Sequence, residues 1–230
     1  MGVWKVRDDR IRYTDTGAIG DDYTDRMNRE YTWMAKAYDA FMFVFPVWKV
    51  WIKKVIPHIE GEDILEVSFG SGYLMTRYGR EEKYNITGID YNEKMVEITR
   101  KKMAAKKIGA KVLKANVENL PFADGTFDTV INTMALTGYP DGDRALSEMK
   151  RVLRPGGRLL IVDFDYPRDR NRCGVLFVRL MEAFGDIMKD INGLLRKQDL
   201  DYRDKPVGGC GSVHLYVCRK KAERGMTGSE

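Results

Sequence analysis

The stretch "DILEVSFGSG", residues 63–72, decides the fold, because an apolar run ends there in a turn that carries Gly70 and Gly72. The apolar run is typical of a buried strand. Glycine lets a ligand approach the backbone because it has no Cβ. In open α/β sheets, ligands bind beyond the carboxyl ends of the strands. The stretch therefore predicts the first strand of such a sheet, with a binding site at its end.

From residue 61 onward, strand-like and helix-like runs alternate, which is typical of βαβ units. The predicted strands are Asp63–Ser68, Asn85–Asp90, Lys111–Val117, Phe127–Thr133 and Gly157–Phe164. The predicted helices are Tyr73–Gly79, Glu93–Lys107, Asp141–Leu153 and one long helix from Val175 to about Arg196, with "RPGG" (154–157) ending the third. Residues 199–221 predict two antiparallel strands at the sheet edge, joined around Gly208, Gly209 and Gly211. We expect an α/β, Rossmann-like doubly wound sheet of about seven strands, the last one antiparallel.

Before residue 61 the sequence predicts two helices, Arg26–Phe43 and Pro46–Ile56, which would form an N-terminal helical cap. We expect a polar tail at 1–25, the cap at 26–60, the sheet domain at 61–222 and a second tail at 223–230. One apolar stripe crosses both cap helices, formed by Trp33, Ala37, Phe41, Phe45, Trp48 and Ile52. The stripe either packs as core on the sheet or forms a lid for an oily molecule, with Lys49, Lys53 and Lys54 near its rim.

Composition excludes several classes of protein. The chain has 230 residues, a net charge of +5 and 43% hydrophobic residues, which is ordinary for a globular domain and identifies no partner. Three cysteines without a CxxC pair are expected to be reduced thiols in a cytoplasmic protein. Two histidines and no cysteine cluster make a structural zinc site improbable. The N-terminus has no apolar signal-peptide core, and "AFMFVFPVW" (40–48) is too short to span a bilayer.

The turn and the second predicted strand indicate the kind of cofactor. A dinucleotide fingerprint needs a third glycine where this chain has Met75, which argues against NAD or FAD. Asp90 ends the second strand, where a carboxylate can accept both hydroxyls of a ribose. Its alternative role is to cap the helix that starts near Glu93. Together with the glycine turn, ribose binding is favoured.

Four stretches in this order and spacing resemble class I S-adenosylmethionine-dependent methyltransferases: "ILEVSFGSGYL", "GID", "ANVENLPFADGTFDTVI" and "ALSEMKRVLRPGGRLLIVD". The resemblance covers residues 61–164. Within that superfamily, "MAKAYDAFM" and "GGCGSVHLYVCRKK" are similar to the C-methyltransferases of ubiquinone and menaquinone biosynthesis. Bacterial phospholipid N-methyltransferases are similar over the same regions.

The resemblance implies S-adenosyl-L-methionine as cofactor and gives each site residue a role. The methionine moiety would be surrounded by Glu66, Ser68, Gly70 and Gly72, and the ribose would be held by Asp90. The adenine would lie beside Tyr91 and Met95, with its edge approached by Asn116, Val117 and Glu118. The floor of the site near the sulfonium would be lined by Asn132, Thr133, Met134 and Leu136. Two positions depart from the family pattern. Ser68 stands where the family usually has glycine, and Asn116 where it usually has aspartate. Ser68 either crowds the cofactor or hydrogen-bonds its amino-carboxylate end, and we expect crowding.

Methyl transfer from a sulfonium needs alignment and water exclusion more than a catalytic triad. A general base would help if the acceptor is a phenol or a quinol carbon. The candidates are Tyr38, Asp163, Asp165 and His214, of which Tyr38 and His214 are our predicted catalytic residues. His214 has a second interpretation, a histidine satisfied within the sheet.

Two features that the sequence lacks narrow the class of methyl acceptor. "NTMALTGYP" (132–140) does not contain the Asn-Pro-Pro-aromatic stretch of the adenine and cytosine amino-methyltransferases, and the lysines of 101–111 lack interleaved aromatics. We therefore expect no nucleic-acid partner and predict a small, lipophilic, quinone-like acceptor, with peripheral membrane contact. The alternatives are a phospholipid or other small-molecule N- or O-methyltransferase and an inactive S-adenosylmethionine-binding sensor or partner protein.

Overall fold

The computed structural model describes residues 47–183 and 188–222 of the chain. The predicted helix Arg26–Phe43, both predicted tails and the candidate Tyr38 lie outside the described residues. So do Trp33, Ala37, Phe41 and Phe45, which are most of the predicted apolar stripe. The limits predicted for the domains stay predictions.

The described residues contain a seven-stranded sheet with the order β3-β2-β1-β4-β5-β7-β6. Its strands are β1 (Asp63–Val67), β2 (Asn85–Asp90), β3 (Ala110–Lys114), β4 (Phe127–Thr133), β5 (Leu153–Phe164), β6 (Asp201–Gly208) and β7 (Val213–Arg219). The first five strands pair in parallel, and β7 runs antiparallel to both β5 and β6. The predicted doubly wound sheet with an antiparallel last strand is confirmed.

Helices cover both faces of the sheet. They are α1 (Val47–Ile52), α2 (Met75–Tyr78), α3 (Glu93–Ala105), α4 (Gly142–Val152), α5 (Arg172–Ala183) and α6 (Ile191–Lys197), with short 3-10 helices at Lys53–His58, Leu136–Gly138 and Gly209–Gly211. One core contains Leu146 of α4 and Leu195 of α6, and the core on the other face contains Ile52 of α1 and Val96 of α3. No helix in the described part of the chain is long and apolar enough to cross a membrane.

The predicted long helix from Val175 to about Arg196 is wrong. Two helices occupy this region, α5 ending at Ala183 and α6 beginning at Ile191. Asp190 is the N-cap of α6, and its Oδ1 accepts a hydrogen bond from the Gly193 backbone N–H at 2.8 Å. An aspartate at the N-cap is a helix-start signal, here within an otherwise continuous apolar pattern.

Two predicted boundaries also shift. β5 begins at Leu153, before "RPGG" rather than after it, and its pairing with β4 shifts register between Phe127 and Thr129. Gly156 has a φ of +78°, so the "RPGG" residues form an irregularity inside the strand instead of separating helix from strand. β3 ends at Lys114 rather than Val117, because the Asn116 side chain accepts a hydrogen bond from the Glu118 N–H at 2.9 Å and starts a turn.

Only the end of the predicted cap is described. The predicted second helix is present as α1, which passes into the 3-10 helix Lys53–His58 that contains Pro57. Ile52 is buried against the sheet, and Trp51 is half-buried with its ring 6.3 Å from that of Phe177 in α5. α1 is therefore attached to the sheet domain at its junction with α5.

Candidate functional site

The glycine turn after β1 holds three residues in the left-handed region of backbone space. They are Ser68, Gly70 and Gly72, with φ of 52°, 53° and 67°. A Cβ at Gly72 would lie 2.6 Å from Thr99 Cγ2, whereas a Cβ at Gly70 would meet nothing within 4 Å. Gly72 therefore allows α3 to pack closely, and Gly70 faces open space where a ligand can approach the backbone.

Asp90 connects the end of β2 to this turn. Its Oδ2 accepts a hydrogen bond from the Gly70 N–H at 2.8 Å, and its Oδ1 accepts one from the Asn92 N–H at 2.9 Å. Burial raises the pKa of Asp90 to about 6, although these N–H donors act in the opposite direction. A carboxylate has roughly four acceptor sites, so Asp90 can accept a ligand hydroxyl in addition to backbone N–H donors. The alternative of Asp90 as a helix cap is wrong, because the N-cap of α3 is Asn92, whose side chain accepts from Lys94 and Met95 N–H.

Glu66 lies below the turn, on β1, with 1% of its surface exposed. Tyr78 of α2 donates a hydrogen bond to Glu66 Oε2 at 2.9 Å. The pKa of Glu66 is raised to about 8, chiefly by burial. The hydrogen bond from Tyr78 acts to lower this pKa, and the charge of Asp90 acts to raise it. Glu66 is therefore mostly protonated at neutral pH in the free protein, and a cation nearby would favour its ionised form.

Ser68 takes part in a hydrogen-bond chain that the sequence did not reveal. Its Oγ lies 2.7 Å from the hydroxyl of Tyr139, and Asn132 Nδ2 donates to the same hydroxyl at 2.5 Å. The Tyr139 hydroxyl thus links Ser68 to Asn132. Asn132 is fully buried, and its Oδ1 has no hydrogen-bond partner. An unpartnered buried acceptor beside an open glycine turn is typical of a ligand site.

The remaining cofactor candidates lie around this edge of the sheet. Asn116 and Glu118 follow β3, and Glu118 Oε1 accepts a hydrogen bond from the Asp141 N–H at 2.9 Å, which ties them to the start of α4. Burial raises the pKa of Glu118. Val117 is buried, and Tyr91 and Met95 are half-buried at the start of α3. These residues surround the carboxyl ends of β2 and β3, where the adenine was predicted.

The predicted floor follows β4. Thr133 and Met134 are half-buried, Leu136 is fully buried, and Met134 has a φ of 54°. Asp163 of β5 fixes this loop, because its Oδ2 accepts from the Leu136 N–H at 2.7 Å and its Oδ1 accepts from the Thr137 hydroxyl at 3.0 Å. Burial raises the pKa of Asp163, and its oxygens are occupied by these donors. Asp163 thus positions the floor.

His214 lies on β7, directly opposite Asp163 of β5 and fully buried. Its Nδ1 lies 2.6 Å from Asp204 Oδ1, whereas its Nε2 is buried without a partner. Burial would raise the pKa of Asp204, but the hydrogen bonds and charges of His214 and Arg168 hold it below its usual value. The catalytic role predicted for His214 stays a prediction.

A second buried acid, Asp165, belongs to the same network. Asp165 Oδ2 accepts hydrogen bonds from Tyr216 at 2.7 Å and from Arg168 at 2.8 Å. Arg168 Nε also donates to Asp204 at 2.7 Å. The network fastens the loop after β5 onto the β6–β7 hairpin, so Asp165 serves mainly to hold Arg168.

The structure thus brings most of the predicted cofactor residues to one edge of the sheet, next to the point where the strand order reverses between β1 and β4. Sequence reasoning missed Tyr78, Tyr139, Arg168 and Asp204. Tyr139 could have been identified from the sequence, because it follows the predicted floor residues within "NTMALTGYP". Arg168 and Asp204 could not, because only the β5–β7–β6 pairing brings them together.

The sheet order and this site define a class I S-adenosylmethionine-dependent methyltransferase. A family described as "Methyltransferase domain" matches residues 65–161. Among curated proteins, the ubiquinone/menaquinone biosynthesis C-methyltransferase UbiE of Geobacter sulfurreducens is 32% identical over 175 residues, covering 71% of this chain and 68% of the relative. UbiE of Haemophilus ducreyi is 33% identical over 143 residues, covering 58% and 55%.

Two solved structures share the fold. A protein of Thermotoga maritima, described as an S-adenosylmethionine-dependent methyltransferase and possible histamine N-methyltransferase, has a TM-score of 0.64 at 20% identity and covers 85% of this chain and all of its own. The [4+2]-cyclase SpnF has a TM-score of 0.63 at 17% identity and covers 74% of this chain and 80% of its own.

The chain belongs to the family of S-adenosylmethionine-dependent methyltransferases that includes the UbiE C-methyltransferases. It spans 55%, 64% and 68% of the length of three UbiE relatives. S-Adenosylmethionine is its cofactor. The open face of Gly70, the two carboxylate oxygens of Asp90 and the unpartnered Asn132 Oδ1 fit this group.

Proposed function

We propose that this chain transfers a methyl group from S-adenosylmethionine to a carbon atom of a small, lipophilic, quinone-like acceptor. The observation that carries the proposal is the 32% identity to a quinone C-methyltransferase over 175 residues, a stretch longer than the 65–161 match to the general domain family.

The cofactor supplies a methyl group on a positively charged sulfur, and the residues of the chain hold the cofactor and the acceptor in position. Asp90 holds the ribose, Gly70 admits the ligand to the backbone, and the floor after β4 is fixed by Asp163. Because the neutral thioether that leaves a methyl sulfonium is a good leaving group, the chain needs mainly to align the acceptor with the methyl group and exclude water.

His214 is the base that we propose for deprotonating the acceptor. Asp204 fixes the ring and favours the tautomer with a proton on Nδ1, which leaves Nε2 to accept a proton. The residue lies opposite Asp163, at the end of β5 next to the floor. Tyr38, the other catalytic candidate, lies outside the described residues and is proposed from the sequence alone.

Contact with a lipid surface is a further part of the proposal. Within residues 47–183 and 188–222, four large apolar side chains are exposed, Val47 and Val50 on α1 and Leu176 and Leu180 on α5, with Leu176 69% exposed. Arg172 and Arg179 are exposed on α5 at positions that alternate with the leucines along one helix face. Apolar residues flanked by cations favour an anionic membrane surface, where a lipophilic acceptor would be found.

The experiment is incubation of the purified chain with methyl-labelled S-adenosylmethionine and a panel of demethylated quinols, phenols and phosphatidylethanolamine. We expect label on a ring carbon of a quinol, located by fragmentation mass spectrometry. Label only on oxygen, nitrogen or phospholipid would overturn C-methylation. A lipid extract of cells that lack the gene should contain a species lighter by one methyl group.

A second candidate is a protein that binds S-adenosylmethionine without methyl transfer. The strained Ser68 in the cofactor turn and the likeness to a cyclase, SpnF, favour this alternative. Tight cofactor binding with no labelled product on any acceptor would support it over the enzyme.

A further inference from the structure

Two of the three cysteines lie in neighbouring elements of the fold. Cys173 lies in the first turn of α5, and Cys210 lies in the turn Gly209–Gly211 between β6 and β7. Both are exposed, whereas Cys218 is buried in β7. The fold therefore separates one accessible pair from one inaccessible thiol.

The backbone around Cys210 packs directly on the start of α5. Asn171 Nδ2 donates to the carbonyl of Cys210 at 2.8 Å, and a Cβ placed on Gly174 would lie 2.6 Å from the same oxygen. The Ser212 hydroxyl donates to the Gly174 carbonyl at 2.9 Å. Residues on either side of Cys173 thus contact the backbone of Cys210 and place the two cysteines in neighbouring turns.

The side chains also meet. Hydrogen bonding with the thiol of Cys173 raises the pKa of Cys210, with smaller contributions from burial and from the charge of Cys173. Burial raises the pKa of Cys218 far above its usual value, so that thiol is inert at neutral pH. The Cys173–Cys210 pair therefore differs from Cys218, because its two thiols are close together and exposed to solvent.

We propose that Cys173 and Cys210 form a reversible disulfide when the chain meets a peroxide. One thiolate attacks the peroxide oxygen, the O–O bond breaks, and a sulfenic acid forms with release of water. The second thiol attacks the sulfenic sulfur, the S–S bond forms and a second water leaves. Two thiols are oxidised by two electrons while hydrogen peroxide is reduced to two waters, and a dithiol restores the pair.

The bond would connect α5 to the β6–β7 hairpin beside the attachment point of α1. Phe177 of α5 contacts Trp51 of α1, and a Cβ on Gly209 would lie 3.1 Å from Phe177. A disulfide there restricts movement of α5 relative to the hairpin. It rests on geometry that is independent of the methyl acceptor, so it stands whether or not the proposed function does.

The test treats the full chain with a small excess of hydrogen peroxide and measures its intact mass and its reaction with N-ethylmaleimide. We expect the wild-type mass to fall by two hydrogens without added oxygen, and both native maleimide sites to disappear. A tryptic peptide of residues 204–219 holds both Cys210 and Cys218. Cys218→Ser therefore serves as the control that assigns the link, and it should behave as the wild type does.

Cys173→Ser and Cys210→Ser should each abolish the loss of two hydrogens. In unfolding experiments the oxidised wild type should melt about 5–10 °C above the reduced form, a difference absent from both variants. Oxygen adducts without a link, a bond to Cys218, or dimers as the sole linked product would each overturn the proposal.

Discussion

At the scale of single residues, the site depends on a few side chains whose surroundings differ from those that the sequence suggested. Asp90 was predicted from its position at a strand end, and the structure adds two N–H donors that fix its orientation. Ser68 was recognised as a departure from glycine, but its partner Tyr139 was not. Residue type and spacing predict which residues face the ligand. The residues that hold them in place come from distant parts of the chain.

Replacing Asp90 with alanine should weaken S-adenosylmethionine binding at least tenfold. The variant loses two charge-assisted hydrogen bonds to the ribose, about 2–4 kcal/mol together, and leaves the Gly70 N–H without its acceptor. Titration calorimetry measures the change, with Glu82→Ala as a control that removes an exposed carboxylate. An affinity unchanged in Asp90→Ala would exclude Asp90 from the site.

Cofactor binding at pH 7 should release a proton from Glu66. The free protein holds this proton because the pKa of Glu66 is about 8, and the cationic amino group of the cofactor favours the carboxylate. Calorimetry in two buffers with different ionisation enthalpies counts the released proton, and binding should tighten as the pH rises from 6 to 8. Glu66→Gln should remove both effects, and equal heats for the wild type in both buffers would contradict the assignment.

Ser68→Gly should be more stable than Ser68→Ala by about 1 kcal/mol. Both variants lose the hydrogen bond to Tyr139, but only glycine adopts a φ of 52° without strain. Chemical denaturation compares the pair, and equal stabilities would contradict a strained backbone. A lower dissociation constant of S-adenosylmethionine for Ser68→Gly would support the prediction that Ser68 crowds the cofactor.

His214→Gln should lower kcat about a hundredfold with little change in cofactor affinity, since a general base contributes 10²–10⁴-fold to a rate. His214→Asn keeps a donor toward Asp204 and controls for the loss of that hydrogen bond. Recovery of kcat in His214→Asn but not in His214→Gln would assign His214 to structure alone.

At the scale of helices and strands, sequence reasoning succeeded where a local signal ends an element. β2 and β4 have their predicted bounds, and Asp141 caps α4 as its side chain type suggests. It failed where tertiary contacts decide the boundary. α5 and α6 read as one helix because apolar residues continue through the gap, and β5 starts early because β4 pairs with Leu153.

The exposed face of α5 gives a prediction at this scale. Leu176→Ser with Leu180→Ser should reduce co-sedimentation with anionic vesicles severalfold at low salt, because both side chains are exposed and would enter the lipid boundary. These positions are better probes than Trp51, whose indole packs against Gly208 and Phe177. Lys111→Glu, on the opposite part of the sheet, is the control. Wild-type protein that stays in the supernatant would end the membrane proposal.

At the scale of the whole molecule, the sheet joins the separate site residues into one ligand-binding edge. The strand order reverses between β1 and β4, so the turn after β1, Asp90 after β2 and the floor after β4 open onto one crevice. The sequence predicted a doubly wound sheet from the βαβ rhythm and a binding site at the end of the first strand from the glycine turn. It did not predict that β7 would place His214 opposite Asp163, since antiparallel register depends on the hairpin geometry.

Cofactor binding should therefore stabilise the whole fold. S-Adenosylmethionine at a hundred times its dissociation constant adds about 2.7 kcal/mol to the free energy of unfolding, which corresponds to a rise in Tm of about 5–11 °C for a domain of this size. NADH should cause no shift, because Met75 replaces the third glycine of a dinucleotide site. Differential scanning fluorimetry across a concentration series measures both ligands, and the shift should shrink in Asp90→Ala at equal ligand concentration. A rise in Tm with NADH, or none with S-adenosylmethionine at millimolar concentration, would contradict the assignment of this edge as the S-adenosylmethionine site.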